Sequence, residues 1–316
     1  MKILYITDFE QIALESGGFI SDYLNDLTFH GLKELYGKDV TAFIPPVHLY
    51  KENKNGAVDH LFRSGNMEGH FWGGMTSFYL LDKDYDERVF GNRMEAQKYF
   101  DEMRDKIENQ EFDLIIYGNF RRCTHLFNIV SKIYPKEKIA LLDGNDDDQL
   151  SEVVNEGYLY FKRELPDFTN LPSNIKPITF SYPEMHLSKI NKSKTQYIGT
   201  VIPGDKSTYI FTDEGSYYDD YNKSNFGITE KKAGWDCMRH YEIMGNYCLP
   251  YFPDIKFCPK NTLWNFPKEL IIEGNKLKDN FDEQEYFRIL DEMFKYFKEN
   301  LTTKAVAQDL INRINE

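Results

Sequence analysis

The amino-acid sequence predicts an α/β fold of two domains followed by C-terminal helices. Apolar runs of strand length alternate with segments of helical spacing, the pattern of a parallel sheet covered by helices. The first strand leads through a loop with Gly17 and Gly18 into a helix, which is how a Rossmann-like unit opens. A length of 316 residues exceeds one ordinary core. Two domains of roughly 100–200 residues each are therefore expected.

The N-terminal domain is expected over residues 1–165. Ser21 or Asp22 can cap the first helix, whose apolar residues share one face. Residues 48–92 show weak periodicity, which is typical of either a functional excursion or an irregular loop. Strands are predicted at 2–6, 40–44, 112–118 and 138–143, and helices at 21–36, 95–109 and 124–133.

The C-terminal domain is expected over residues 175–280, and the terminal helices over 281–316. A polar run with two prolines, 166–174, resembles a linker and places the boundary near 165–175. The last segments include 283–300, a strongly amphipathic helix. The remaining predicted strands are 158–163, 176–180, 195–202, 209–211 and 226–229, and the remaining helices are 217–223, 237–244 and 304–314.

The composition excludes several classes of protein. With 38 Lys and Arg against 51 Asp and Glu, the net charge is −13, which argues against nucleic acid or an anionic membrane surface as a partner. We expect no integral membrane segment, because no apolar run approaches about 18 residues, and no signal peptide at the N-terminus. The four cysteines lack metal-site or CxxC spacing, so reduced thiols in a cytoplasmic protein are expected. Aromatic residues reach 16%, which suits both cores and stacking clefts.

The stretch 226–250 carries the most specific information. A strand is followed by a loop with Lys231 and Lys232, and then by a helix with Arg239 and Glu242. Free N–H groups and the positive end of a helix dipole both favour phosphate. Arginine suits bidentate phosphate contacts, and a glutamate can accept hydrogen bonds from a ribose diol. Together these residues predict a site for a nucleotide diphosphate.

The spacing Arg239-x-x-Glu242-x-x-Gly245-x-x-x-x-Pro250 resembles the C-terminal domain of GT-B glycosyltransferases, in particular the exostosin-like and spore-coat-type families. The resemblance covers 226–252 and implies two Rossmann-like domains facing a central cleft. It also implies that the glutamate holds the donor ribose, that the basic residues hold the diphosphate, and that no divalent metal is required. One position departs from the family: many retaining members carry a glutamate eight residues earlier, where this chain has Gly234. The stereochemical outcome is therefore left open.

The same residues also have structural interpretations. Lys231 and Lys232 could simply solubilise a loop, and Gly245 could be a helix C-cap. Arg239 and Glu242, three apart, could form a surface ion pair. We include Gly234 and Trp235 in the donor site, although packing is the favoured role of the indole.

Candidates for catalysis lie in the N-terminal half. A base must reach the acceptor hydroxyl, and Glu15, Asp22 and His125 stand in loops or at helix starts. Gly17 and Gly18 allow the backbone to approach a donor phosphate without a Cβ clash. Arg121 and Arg122 follow a strand and could face a cleft or pair at the surface. The acidic turn 143–148 contains a DxD sequence that could bind a metal, although capping and solvent exposure are favoured, and 162–164 could pair with it.

The predicted function is glycosyl transfer from a nucleotide-sugar donor to a glycan, lipid-linked or protein acceptor, in surface-glycan or glycoconjugate synthesis. No cofactor beyond the donor is expected. There are two alternatives. One is a sugar-nucleotide epimerase with the same fold, and the other is a non-catalytic protein that binds nucleotide sugar or glycan.

Overall fold

The computed structural model describes residues 1–7, 12–13, 18–19, 22–54, 76–168 and 170–316. The strands of these ranges are β1 (Ile3–Ile6), β2 (Ile12–Ala13), β3 (Gly18–Phe19), β4 (Val40–Ala42), β5 (Leu114–Tyr117), β6 (Ile139–Asp143), β7 (Leu159–Lys162), β8 (Ile175–Pro177), β9 (Gln196–Ile198), β10 (Ser224–Ile228) and β11 (Leu249–Tyr251). The helices are α1 (Tyr23–Tyr36), α2 (Arg93–Glu108), α3 (Phe127–Ile133), α4 (Glu214–Lys223), α5 (Met238–Gly245), α6 (Lys268–Asn275), α7 (Glu283–Asn300) and α8 (Thr303–Ile314). The predicted α/β class is confirmed.

Six strands form a parallel sheet in the order β4-β1-β5-β6-β7-β8. The four residues of β1 are all fully buried, which explains why the run is apolar without alternation. Because every strand points the same way, the segments that leave their carboxyl ends gather at one edge of the sheet. This Rossmann-like edge is where a ligand cleft is expected.

Helices cover both faces of the six-stranded sheet. Leu27 of α1 and Leu310 of α8 belong to one apolar cluster, and Met103 of α2 and Val130 of α3 belong to another. Helices α1 and α8 approach closely at Gly31, where an added Cβ would lie 2.0 Å from the carbonyl oxygen of Thr303. The C-terminal helix is therefore fixed against the first helix of the chain.

A second parallel sheet has the order β11-β10-β9, with α4 and α5 connecting its consecutive strands. Gly227 of β10 lies against α5, since a Cβ there would be 2.7 Å from Ile243. Helix α7 spans the predicted 283–300 and buries its predicted apolar face: Tyr286, Ile289, Leu290, Met293, Phe294 and Phe297. The apolar residues that surround this sheet and those on one face of the six-stranded sheet belong to one continuous apolar cluster.

Two sequence expectations need correction. Strand β8 pairs in parallel with β7, so residues 175–177, expected in the second domain, complete the first sheet. Residues 209–211 form no extended strand: Phe211 makes only an isolated bridge, and Tyr209 and Phe211 pack against the apolar cluster. The four cysteines are free thiols, as predicted. Within the described ranges, none of the helices is both long and apolar enough to cross a membrane.

Candidate functional site

Residues that follow strands of both sheets line one cleft of about 340 Å³. This volume lies within the range of small-molecule sites, roughly 300–1,000 Å³. The six-stranded sheet and α1 contribute Asp22, Tyr23, Arg122, Gly144, Asn145, Asp146, Arg163 and Phe180. The segment between β10 and α5, with the first residue of α5, contributes Lys232, Ala233, Gly234, Asp236, Cys237 and Met238.

Arg163 holds the two walls of this cleft together. Its side chain is 1% exposed and its guanidinium forms ion pairs with Asp146 and Glu164. It also donates to the carbonyl oxygens of Gly144 and Asp236, and it lies 4.5 Å above the ring of Phe180. A buried charge that is paired and hydrogen-bonded in this way is a structural anchor, since removing one partner leaves the others uncompensated.

Glu164 fixes the segment that leads into α5. Its carboxylate accepts hydrogen bonds from the backbone N–H groups of Trp235 at 3.1 Å and Asp236 at 2.8 Å. Gly234 is required by this contact, because a Cβ at that position would lie 2.5 Å from Glu164 Oε1. The absence of a side chain at position 234 thus has a steric reason.

Two cationic side chains remain available at the cleft. Arg122 follows β5, Lys232 precedes α5, and both are exposed. Neither forms an ion pair with another residue in the described part of the chain. The N-cap residue of α5, Cys237, makes no side-chain capping bond within the same ranges. These features favour an anionic ligand on the α5 side of the cleft.

Asp22, predicted as a catalytic candidate, lies at this cleft. It is the N-cap of α1, where it accepts from the backbone N–H of Asn25 at 3.2 Å, and it also accepts from the side chain of Asn119. Burial raises the pKa of Asp22, and the nearby Asp26 carboxylate raises it further, by a smaller amount. Its location is suitable for chemistry, and its catalytic role stays a prediction.

The paired lysines face different spaces. Lys231 Nζ lies 5.3 Å from the centre of the Trp235 ring. Lys231 and Trp235 line an adjoining cleft of about 280 Å³, which also includes Asp147, Asp148 and Glu164. Lys231 and Trp235 are therefore separated by their own loop from Lys232 and the main cleft.

Glu242 and Arg239 lie in the buried part of α5 and do not line either cleft. Glu242 is 1% exposed, and its carboxylate accepts from Thr76 and from the hydroxyl of Tyr217, both at 2.8 Å. Arg239 is 5% exposed, with its guanidinium 5.8 Å from the centre of the Tyr209 ring. The structure thus places this pair among tyrosines between α4 and α5, so the ribose-binding role of Glu242 stays a prediction.

Of the other N-terminal candidates, His125 does not line the main cleft. His125 is exposed and its backbone carbonyl accepts from Tyr117 at 3.0 Å. Gly18 belongs to β3, which pairs with β2 in a two-stranded antiparallel ladder. Glu15 and Gly17 lie outside the described residues, so their predicted roles are not addressed.

Basic side chains pair with Asp143, Asp146 and Asp147 of the acidic turn after β6, as the sequence suggested for 162–164. Buried Asp143 pairs with buried Lys162 at 3.1 Å and accepts from Tyr160 at 2.7 Å. Asp147 pairs with Arg121 at 2.5 Å. Among the described residues, no group of three or more His, Cys, Asp and Glu side chains is placed to hold a metal ion.

Sequence reasoning suggested that Arg163 pairs with the acidic turn, but it did not foresee the hydrogen bond from Arg163 to the Asp236 carbonyl, and it gave Asp236 no role. The signal for Arg163 was its place at the end of a predicted strand, where parallel strands bring their carboxyl ends together. The signal for Asp236 was its place just before α5. Neither residue belongs to a recognisable spacing pattern, so only the fold brings them together at the cleft.

No family model matches the chain, and none of the curated proteins matches it.

Proposed function

We propose that this protein is a glycosyltransferase that moves a sugar from a nucleotide diphosphate donor to a glycan, lipid-linked or protein acceptor. The observation that carries the proposal is a single cleft lined by residues from the carboxyl ends of both parallel sheets. Two Rossmann-like units that share a cleft in this way support the GT-B type arrangement, which the motif of α5 suggested independently.

Charge supports a diphosphate as the donor's anchoring group. The chain has a net charge of −13, yet Arg122 and Lys232 both reach this cleft. An arginine can hold two phosphate oxygens at once, and a lysine acts as a point charge. The N-terminus of α5 adds oriented backbone N–H groups on the same side. We place the diphosphate between Lys232, Arg122 and the first turn of α5.

These groups also suit the chemistry. When the bond between the anomeric carbon and the diphosphate oxygen breaks, negative charge grows on the leaving nucleoside diphosphate. Fixed cations and N–H groups that face this charge lower the barrier, because they need little reorganisation during the reaction. Arg163 and Glu164 would act indirectly, since their hydrogen bonds hold the loop that carries Lys232.

Calorimetric titration with UDP, GDP, ADP and CDP tests the donor site. We expect one of them to bind, and Lys232→Ala to weaken that binding by about tenfold or more, as expected for loss of a charge-assisted contact. Lys304→Ala, which removes an exposed lysine of α8 away from the cleft, is the matched control and should leave affinity unchanged. If no nucleotide binds, or if Lys232→Ala binds as tightly as the wild type, the assignment is refuted.

Product analysis separates transfer from epimerisation. With a nucleotide sugar alone, a transferase yields only slow hydrolysis to free sugar and nucleoside diphosphate. An epimerase instead yields a second nucleotide sugar or its free epimer without an acceptor. Accumulation of an epimer would contradict the proposed transfer.

A further inference from the structure

The adjoining cleft lies on the other side of the loop before α5 from the main cleft. Lys232 of this loop lines the main cleft, whereas Lys231 and Trp235 line the adjoining one. Asp146 and Ala233 line both clefts, so the two spaces meet at these residues. A ligand in the adjoining cleft would therefore lie beside a ligand in the main cleft.

The indole of Trp235 is the largest apolar group of the adjoining cleft. Its side chain is half-buried, and it packs against Phe252 with ring centres 6.2 Å apart. Pro166 and Pro259 line the same cleft. A tryptophan that is supported by the core and partly open to a cleft offers a flat apolar surface to a ligand. The C–H groups on the face of a sugar ring suit such a surface.

Two exposed aromatic side chains lie close along the chain to this cleft. Phe168 is 45% exposed and Phe257 is 67% exposed, and each is two residues from a proline that lines the cleft. The two segments are joined, because Asp167 accepts hydrogen bonds from the backbone N–H groups of residues 260–261 at 3.1 and 3.3 Å. Apolar surface near the cleft thus extends beyond the indole itself.

Most of the acidic side chains in the adjoining cleft are already paired. Asp146 and Glu164 form ion pairs with Arg163, and Asp147 forms one with Arg121. Glu164 also accepts from two backbone N–H groups. A cationic ligand is therefore not favoured, since the carboxylates that it would need have partners of their own.

Asp148 and Lys231 are the charged groups that remain for a ligand. Both are exposed, and neither forms an ion pair within the part of the chain that the structure describes. Lys231 Nζ lies 5.3 Å from the centre of the Trp235 ring, on a flexible stem that lets it move aside when a ligand stacks there. A carboxylate accepts hydrogen bonds and an ammonium group donates them. Together they suit hydroxyl groups, which do both, on a neutral ligand.

We propose that the adjoining cleft binds a sugar ring of the acceptor, so that the acceptor of the transfer is a glycan. Trp235 packs against the apolar face of the ring, and Asp148 and Lys231 bind its hydroxyl groups. The volume of about 280 Å³ is just under the roughly 300–1,000 Å³ of small-molecule sites, which suits a single ring. This inference rests on the proposed function. It gives Trp235 and Lys231 an acceptor role in place of the donor role predicted from the sequence.

Saturation-transfer NMR titrations of the whole chain with lactose, maltose, cellobiose and N,N′-diacetylchitobiose test the site. We expect at least one of these disaccharides to bind the wild type. Its affinity should fall about tenfold or more in Trp235→Ala, because the variant loses the stacking surface. Asp148→Ala changes an exposed side chain, so the fold should be retained, and affinity should fall about threefold or more for the loss of a hydrogen bond.

Trp264→Ala is the matched control. Trp264 is also half-buried, and a cationic group also lies over its ring, the guanidinium of Arg313 at 5.6 Å. It lines neither of the two clefts, so its replacement should leave disaccharide affinity unchanged. Thermal unfolding establishes whether each tryptophan variant folds. If Trp235→Ala does not fold, Asp148→Ala decides the test.

Failure of the inference is distinguishable from failure of the proposed function. If none of the four disaccharides binds, or if a folded Trp235→Ala or Asp148→Ala variant binds as tightly as the wild type, the acceptor site is overturned. Calorimetric titration with the nucleoside diphosphates then still judges the donor site. Disaccharide binding that depends on Trp235 in a chain that binds no nucleotide would uphold the sugar site and contradict the transfer.

Discussion

Asp236→Asn should make the protein more stable at neutral pH, although it removes a carboxylate that accepts two hydrogen bonds. The pKa of Asp236 is raised by burial to about 6 from its ordinary 3.8, so the folded chain holds the proton more tightly than the unfolded chain does. Ionisation at neutral pH therefore costs the folded state free energy. Each tenfold difference in the dissociation constant corresponds to about 1.4 kcal/mol, which gives about 3 kcal/mol at pH 7.

The sign of the pH dependence follows from the same values. Below about pH 3 the carboxyl is protonated in both states, so its ionisation no longer affects stability. As the pH rises from about 4 through 6, the unfolded chain ionises first and the wild type loses stability, whereas asparagine does not titrate. The advantage of Asp236→Asn should therefore shrink from about 3 kcal/mol at pH 7 to about 1 kcal/mol at pH 4.5.

Urea unfolding of both proteins at pH 7, 6, 5 and 4.5 measures this difference. Asp220→Asn serves as the control and should be destabilised by about 1–3 kcal/mol, because asparagine can keep only one of its two accepted bonds. If Asp236→Asn is less stable than the wild type at pH 7, or if the difference does not change with pH, the reasoning is refuted.

Two further substitutions test how the fold holds the site. Gly31→Ala should lower the free energy of unfolding by about 1–3 kcal/mol or more, because its Cβ would lie 2.0 Å from the Thr303 carbonyl oxygen. Thermal unfolding measures this loss, and an unchanged melting temperature would contradict the close packing of α1 and α8. Glu164→Gln should lower the free energy of urea unfolding by about 1–3 kcal/mol, since it weakens the bonds to Trp235 and Asp236, and a neutral result would show that the loop does not depend on them.

The sequence predicted the first sheet well because its signals are local. The run at 3–6 is apolar without interruption and the glycine-containing turn follows it, so strand and helix are both visible in composition. Helix α7 was predicted with its bounds because its apolar stripe repeats over the full length. Strand β8 was assigned to the wrong unit, because its pairing with β7 depends on tertiary contacts that a proline-rich segment does not reveal.

The site was predicted only in part. Lys232 and Asp22 were found from local spacing and capping patterns, and both line the cleft. Glu242 belongs to a recognisable spacing, yet it is buried with its carboxylate bound by Thr76 and Tyr217, a partnership that crosses 166 residues to Thr76. Asp236 could not be selected from sequence, because its place at the cleft depends on contacts with Thr179, Phe180 and Glu164, which are distant along the chain.

Hydrogen exchange with and without nucleotide tests most directly whether a nucleoside diphosphate binds between the two sheets. UDP, GDP, ADP and CDP are each added at saturating concentration, and the exchange of backbone amides is followed by mass spectrometry. We expect a nucleotide that binds to slow exchange at 232–240, where Lys232 and the first turn of α5 lie, and at 144–146 on the opposite wall. Binding that protects other segments and leaves these two unchanged, or an absence of binding by all four nucleotides, would contradict the proposed site.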